Sequence, residues 1–232
     1  MKITNTVYQV DDVVGAPSVI VGDGYLTLVD AGVPNSEAQI FALIEALGRK
    51  PVDVKHILLT HSDGDHIGAL PALVAATGAK VYAQRDEAEV VQGKRQSRGG
   101  KMVATPVKVD QVVKEGDVLP LHGGIRVVES FGHTLGHVCY YLLAEKLLFT
   151  GDCLTNTNGT DGVVAAVHGQ HGPGEGDREE DRRARARLAG IWTRPCDCRR
   201  RRGAVEGAGG NNLGAYYFHT ASSAPMTISA TR

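Results

Sequence analysis

Four residues able to bind a metal ion crowd into the short stretch THSDGDH: His61, Asp63, Asp65 and His66. A metal site needs deprotonated nitrogen, oxygen or sulfur donors gathered on a rigid support. Here two imidazoles and two carboxylates fall within one turn of chain. The spacing is too tight for one ion to take all four with ease, whereas two adjacent ions could share them. Gly64, between the carboxylates, is expected to let the backbone turn sharply. The competing reading is a polar loop whose Asp and His side chains only cap the next helix. Two further clusters weigh against it. FGHTLGH carries His133 and His137, and TGD carries Asp152.

The elements that must position these groups alternate in type. SVIV, Gly22-Asp23-Gly24 and YLTLVD read as a hairpin, whose second strand ends at Asp30-Ala31-Gly32. SEAQIFALIEALG follows, with Ile40, Leu43, Ile44 and Leu47 on one helical face, Ser36 to cap its start and Gly48 its end. HILLT reads as a short buried strand leading into the acidic and His-rich loop. Residues 67–77 read as one helix ended by Gly78, KVYAQ as a strand and RDEAEVVQG as a short polar helix. VKVDQVV, IRVVES, VCYYLL and KLLFT read as strands. Asp30, the first His loop, the second His loop and Asp152 thus all follow strands, where α/β folds place functional groups.

THSDGDH, then GHTLGH, then FTGD, in this order and each at a strand end, resembles the metallo-β-lactamase superfamily. LVDAG, ending at Gly32, resembles the first strand motif of that family, and the likeness runs over about residues 7–160. The resemblance implies an α/β fold, an αββα sandwich with two metal ions in a cleft at one edge of its sheets. It implies His61 and His133 as ligands of one metal, Asp65 and His66 of the other, and Asp152 as the bridge between them. It further implies hydrolysis by a metal-bound hydroxide of a small ester, thioester or lactone. Asp65 would be the catalytic group that orients the hydroxide or takes its proton. The cofactor is expected to be zinc, as two ions.

The chain departs from that pattern twice. The family's usual loop has His where this sequence has Asp63. An aspartate is a harder, anionic donor; it could bind the first metal, stand outside the coordination sphere, or leave that site weak, and it shifts preference from zinc toward manganese or iron. The family's late Gly-His-Gly loop is also not found. His168 and His171 are poor substitutes, and His219, at the end of the strand-like run AYYF, is the best placed. The loss of that ligand motivates an alternative function: a catalytically impaired protein of the same fold that binds a metal or a ligand. His137 is expected to be packed rather than ligating, His56 to be a core or edge residue, His122 to sit in a solvated turn and Cys153 to be small and buried. Asp30 either supports the metal loop or caps a turn.

The formal net charge of −1 hides a change of composition along the 232 residues. All nine Lys lie at or before Lys146, while eleven of the sixteen Arg lie at or after Arg178. Residues 1–162 are therefore taken as the metallo-β-lactamase-like domain. Residues 163–232 are taken as an Arg- and Gly-rich tail, partly disordered, that leaves the second half of the sandwich incomplete. Runs such as CDCRRRRG suggest a reading-frame shift near residues 160–165. Arg199 to Arg202 have no interleaved aromatics, which argues against a nucleic-acid partner, and a lone Cys196-x-Cys198 lacks the second pair of a structural zinc site. No apolar stretch is long enough to span a membrane, and four scattered Cys fit a reduced, cytoplasmic protein acting on a small molecule.

Overall fold

The structure, a computed structural model, describes residues 1–153 and the short strand at 216–217. Expectations that fall on the other residues, including the domain boundary at 162, the tail, Cys196, Cys198 and His219, lie outside the described residues.

Two sheets stack face to face. The first has the order β1 (Val7–Gln9), β2 (Ser18–Val21), β3 (Leu26–Val29), β4 (Val54–Leu58), β5 (Lys80–Gln84) and β6 (Gln111–Val113). Its first three strands are antiparallel; β3 to β6 are parallel. Parallel neighbours need crossovers. They are supplied by α1 (Glu37–Ala46), by α2 (Gly64–Ile67) with α3 (Leu70–Thr77), and by α4 (Arg85–Val91). The second sheet runs β7 (Val118–Leu119), β8 (Ile125–Glu129), β9 (Val138–Leu142), β10 (Leu147–Phe149), with β11 (Tyr216–Tyr217) parallel to β10 at its edge. The AYYF run is thus strand in part, as read.

Period-two alternation in the first sheet divides the core into two. Leu26, Leu28, Ile57, Val81 and Ala83 face the helices and pack with Ile40, Ile44 and Leu73. Val29, Leu58 and Tyr82, one residue out of phase, face the second sheet and pack with Ile125, Val127, Tyr140 and Phe149. Three layers of the expected sandwich are therefore present, helix on sheet on sheet. The fourth, expected after residue 153, falls outside the described residues. Two hydrogen bonds cross between the sheets beside the metal-type loops. The Tyr140 hydroxyl donates to the Leu59 carbonyl at 3.0 Å, and the Val138 amide donates to the Thr60 carbonyl at 2.9 Å.

Some local expectations are corrected. Residues 67–77 are not one helix. The chain breaks between α2 and α3, where Gly68 packs on Pro34: a Cβ on Gly68 would lie 2.3 Å from the Pro34 nitrogen. The Gly68 amide donates to the Gly32 carbonyl instead. Ser36 stands at the N-cap of α1, but its hydroxyl donates to the carbonyls of Ala31 and Val33 rather than accepting from the helix. Of VKVDQVV only Gln111–Val113 is strand, because the Val107 amide is spent on the Val91 carbonyl at the end of α4. Gly64 has no positive φ and open space around it, so the turn between Asp63 and Asp65 does not depend on a glycine.

Candidate metal centre

Four strand ends meet at one edge of the sandwich. β3 delivers Asp30, β4 delivers residues 60–66, β8 delivers the loop with His133, and β10 delivers Asp152. His61, Asp63, His66, His133 and Asp152 come together there, with Asp65 at the margin. The imidazole centroids of His61 and His66 are 4.1 Å apart, and those of His61 and His133 are 4.9 Å apart.

The innermost layer sets ring orientations. Asp30 is buried with φ of +62°, a strained backbone for a non-glycine residue. Its Oδ1 accepts from the Thr60 amide at 2.8 Å, and its Oδ2 accepts from the Thr60 hydroxyl at 2.8 Å and from His66 Nδ1 at 2.9 Å. With the Thr60 hydrogen committed to Asp30, His61 Nδ1 is the donor in its 3.0 Å contact with Thr60 Oγ1. Both rings are thereby held with Nε2 aimed at the cleft, the arrangement in which an outer carboxylate fixes the tautomer of a ligating histidine. Asp30 supports the metal-type loop; it is not a mere turn cap. Gly151, with φ of +48°, passes so close to Thr60 and His137 that a Cβ would lie 2.5 Å from Thr60 Oγ1.

Around the cleft the donor atoms fall into two sets. His61, Asp63 and His133 form one: Asp63 Oδ2 lies 3.1 Å from His133 Nε2 and 3.8 Å from His61 Nε2. His61, His66 and Asp152 form the other, with His66 Nε2 3.2 Å from Asp152 Oδ1. The second oxygen of Asp152 lies 3.5 Å from His133 Nε2, so its carboxylate faces both sets. Asp65 belongs to neither tight set; its Oδ2 is 3.9 Å from His66 Nε2 and its side chain is 36% exposed at the mouth.

The electrostatics call for positive charge. Burial works against protonation of His66, yet Asp30 and Asp152 outweigh it and raise its pKa to about 10. His61 goes the other way: burial, then the neighbouring His66, His137 and His133, hold its pKa well below the ordinary histidine value. His61 Nε2 is fully buried and makes no hydrogen bond. Burial raises the Asp63 carboxyl, but its hydrogen bond from His133 and the Arg98 guanidinium 2.7 Å away more than offset this and lower it.

A profile of the family described as the metallo-beta-lactamase superfamily matches residues 10–191 of the chain. The chain belongs to the metallo-beta-lactamase superfamily. Among curated relatives, a hydroxyacylglutathione hydrolase of Rhizobium meliloti (strain 1021) is 33% identical over 138 residues, 57% of this chain and 48% of that protein. One of Rhodobacter capsulatus is 34% identical over 129 residues, 55% of this chain and 43% of that protein. The chain spans about half the length of the curated relatives it matches. Among solved structures, a metallo-beta-lactamase with a HARLDQ motif from Cronobacter sakazakii superposes with a TM-score of 0.66 at 25% identity, covering 82% of this chain and 73% of that one. A subclass B3 metallo-beta-lactamase of Bradyrhizobium japonicum gives 0.54 at 29% identity, over 60% of this chain and 55% of that one.

For this superfamily member the donor set fits metal ions on its own geometry. Ligands at 2.0–2.2 Å from a tetrahedral ion stand about 3.3–3.6 Å from one another. The separations of 3.1, 3.2, 3.5 and 3.8 Å bracket that edge length. The unbonded, buried lone pair of His61 Nε2 is the second sign, since such a group is costly unless something binds it.

The remaining histidines sort by environment. His137 is packed, as expected. The Asp152 amide donates to its Nε2 at 3.2 Å, so its Nδ1 carries the hydrogen and donates to Ser130 Oγ at 2.6 Å. Burial, with His133 and His66 nearby, lowers its pKa to about 3. His56 is a partly buried strand residue bonded to the Tyr82 hydroxyl at 2.9 Å. His122 does sit in a turn, but its ring is only partly open to solvent: its Nε2 bonds Thr27 Oγ1 at 2.8 Å and its ring packs on Tyr25. Cys153 is buried, with its Sγ 3.3 Å from that of Cys139. Sequence reading missed Glu87, whose place in a polar helix gave no sign that its carboxylate is buried beneath the site.

Proposed function

We propose that the protein is a metal-dependent hydrolase of a small thioester. The observation that carries this reading is the pair of donor sets that face each other across Asp152, with Asp30 holding the rings of one side. His61, Asp63 and His133 would hold one ion; Asp65 and His66 would hold the second; Asp152 faces both. When bound, such ions supply Lewis acidity and lower the pKa of water toward about 7. The chain's own residues do the rest. Asp30, through Thr60 and His66, fixes the lone pairs that face the cleft. His137 holds Asp152 by its amide. Asp65, at the mouth and more exposed than the other acids, would take the proton released when water attacks. The thioester is preferred among acyl substrates because the relatives named above hydrolyse a hydroxyacylglutathione, whose reactive group is an acyl–sulfur bond.

Zinc is the expected ion, two per chain, and Asp63 in place of an imidazole makes manganese or iron a competitor at the first set. The reading places its work on a small molecule rather than nucleic acid, in the reducing cytoplasm that its buried free Cys139 and Cys153 suit. No described helix is long and apolar enough to cross a membrane.

A second reading draws on one contact. Arg98 Nη2 stands 2.7 Å from Asp63 Oδ2, so a cation already occupies one acceptor of the first set. A protein that binds one metal, or a ligand, without turnover is consistent with that pair. Assays of S-lactoylglutathione, a lactone and a chromogenic β-lactam, with zinc or manganese added, separate the readings. Thioester turnover at least tenfold above the others supports the hydrolase. Metal uptake without turnover of any substrate supports the binding module, and no uptake of either metal sinks both.

A further inference from the structure

Glu87 lies in the first half of α4, where the sequence reads RDEAEVV and suggests a solvated face. Its side chain is instead 2% exposed. An ionised carboxylate at that depth is tolerated only when its lone pairs are satisfied. They are, and the division is informative. Oε2 accepts from the Ser62 amide at 2.9 Å and from the Ser62 hydroxyl. Oε1 accepts from the Thr134 hydroxyl at 2.7 Å and from the Gly136 amide at 2.8 Å. One oxygen serves only the loop that carries His61, Asp63, Asp65 and His66; the other serves only the loop that carries His133.

These two loops come from different sheets. His61 follows β4 of the first sheet and His133 follows β8 of the second. The 3.1 Å approach of Asp63 to His133 needs them in fixed register. Asp30 cannot supply that register, because its bonds end on Thr60 and His66, within the first loop. We infer that Glu87 is a positioning residue: a carboxylate strut that locks the two histidine loops together from beneath and sets the geometry of the first metal position. Two charge-assisted acceptors on one rigid group span the gap with little freedom to lose.

The inference rests on the metal reading above for its purpose, but the strut itself can be tested without metal. Glu87→Gln is nearly isosteric yet has a single acceptor oxygen. Its amide group must face either the Ser62 or the Gly136 N–H, donor against donor, so one loop is released. In the full-length, metal-free protein, amide hydrogen exchange read by mass spectrometry is expected to rise at least tenfold in residues 60–66 or 131–137, with β2 and β3 unchanged. Zinc affinity, measured against a chromophoric chelator, is expected to fall at least tenfold. Glu89→Gln, on the same helix, should change neither.

Should Glu87→Gln fail to fold, Ser62→Ala and Thr134→Ala each remove one bond to the strut. Thr134→Ala is then expected to speed exchange in residues 60–66 as well as in its own loop. Wild-type exchange in both loops of Glu87→Gln, or a Thr134→Ala effect confined to residues 131–137, overturns the strut. Loosened loops with undiminished zinc affinity overturn its positioning role. If the wild-type chain itself takes up no zinc, the metal reading fails, and the exchange data alone decide whether the strut exists.

Discussion

Two groups of histidines sit at different levels along the same strands. At the ends of β4 and β8, His61, His66 and His133 meet Asp30, Asp63 and Asp152. Farther back, His56 midway along β4 and His122 just before β8 meet Tyr25, Tyr82 and Thr27. Both groups are at least partly buried and both lie at the joint between the sheets. The first pulls His66 up to about 10; the second lets burial, helped by His56, lower His122 to about 4. Among the described residues neither His56 nor His122 has a carboxylate within ion-pairing distance. Histidine is therefore no signature of a metal site by itself. Carboxylates make the first group one, and hydroxyls make the second a packed, neutral seam.

The comparison breaks most readily at Asp152, the carboxylate common to both donor sets. Asp152→Ala is expected to lower thioester turnover by on the order of 10³-fold, equivalent to about 4 kcal/mol of barrier. It should also leave at most one zinc per chain by elemental analysis. Near-wild-type turnover with two zinc ions bound would show that the carboxylate does not define the site.

Asp30→Asn sharpens the contrast, since it keeps the shape of the outer layer and removes its charge. One bond to Thr60 or His66 is lost, and the ring of His66 is no longer held in a single tautomer. Outer partners of metal ligands typically contribute 10- to 100-fold in affinity. A zinc titration should show a loss of that size, smaller than for Asp152→Ala; an unchanged affinity would mean that Asp30 serves the strained turn alone.

How much of this contrast was legible beforehand depended on chain distance. His61 to His66, His133 and Asp152 announce themselves because each follows a recognisable strand and their order matches a family motif; the resemblance, rather than any local pattern, brought groups from two sheets to one edge. The strands SVIV, YLTLVD and KVYAQ were equally plain as strands, though not the division of their faces between two cores. What could not be read were partners fixed by the stacking of one sheet on another. Glu87 looked like a charge on a polar helix because the loop 131–137 that covers it lies far along the chain. His122 looked like a fully solvated turn residue because the Tyr25 and Thr27 that cover one side of its ring are almost a hundred residues away. The break at Gly68 depends on Pro34, another long-range neighbour. Alternation and turn chemistry report on the segment that carries them, whereas a buried polar bond is a property of two segments.

The smallest expected effect tests the neutral end of the comparison. The His122 pKa is depressed in the folded chain, so folding favours the unprotonated ring. Its contribution is fully present above the unfolded value of about 6.5 and is lost as pH falls from there toward about 4. The ring is only half-buried, so solvent screening reduces the effect to about 1–2 kcal/mol. His122→Gln keeps a polar group near Thr27 but cannot take up a proton. Urea unfolding at pH 7 and at pH 4.5 is expected to show wild type losing more stability than the variant by about that amount. All other histidines are common to both proteins, so their contributions cancel in the difference. Parallel losses would mean that His122 is as open to water in the folded chain as in the unfolded one, and the contrast between a charged centre and a neutral seam would shrink to the carboxylates alone.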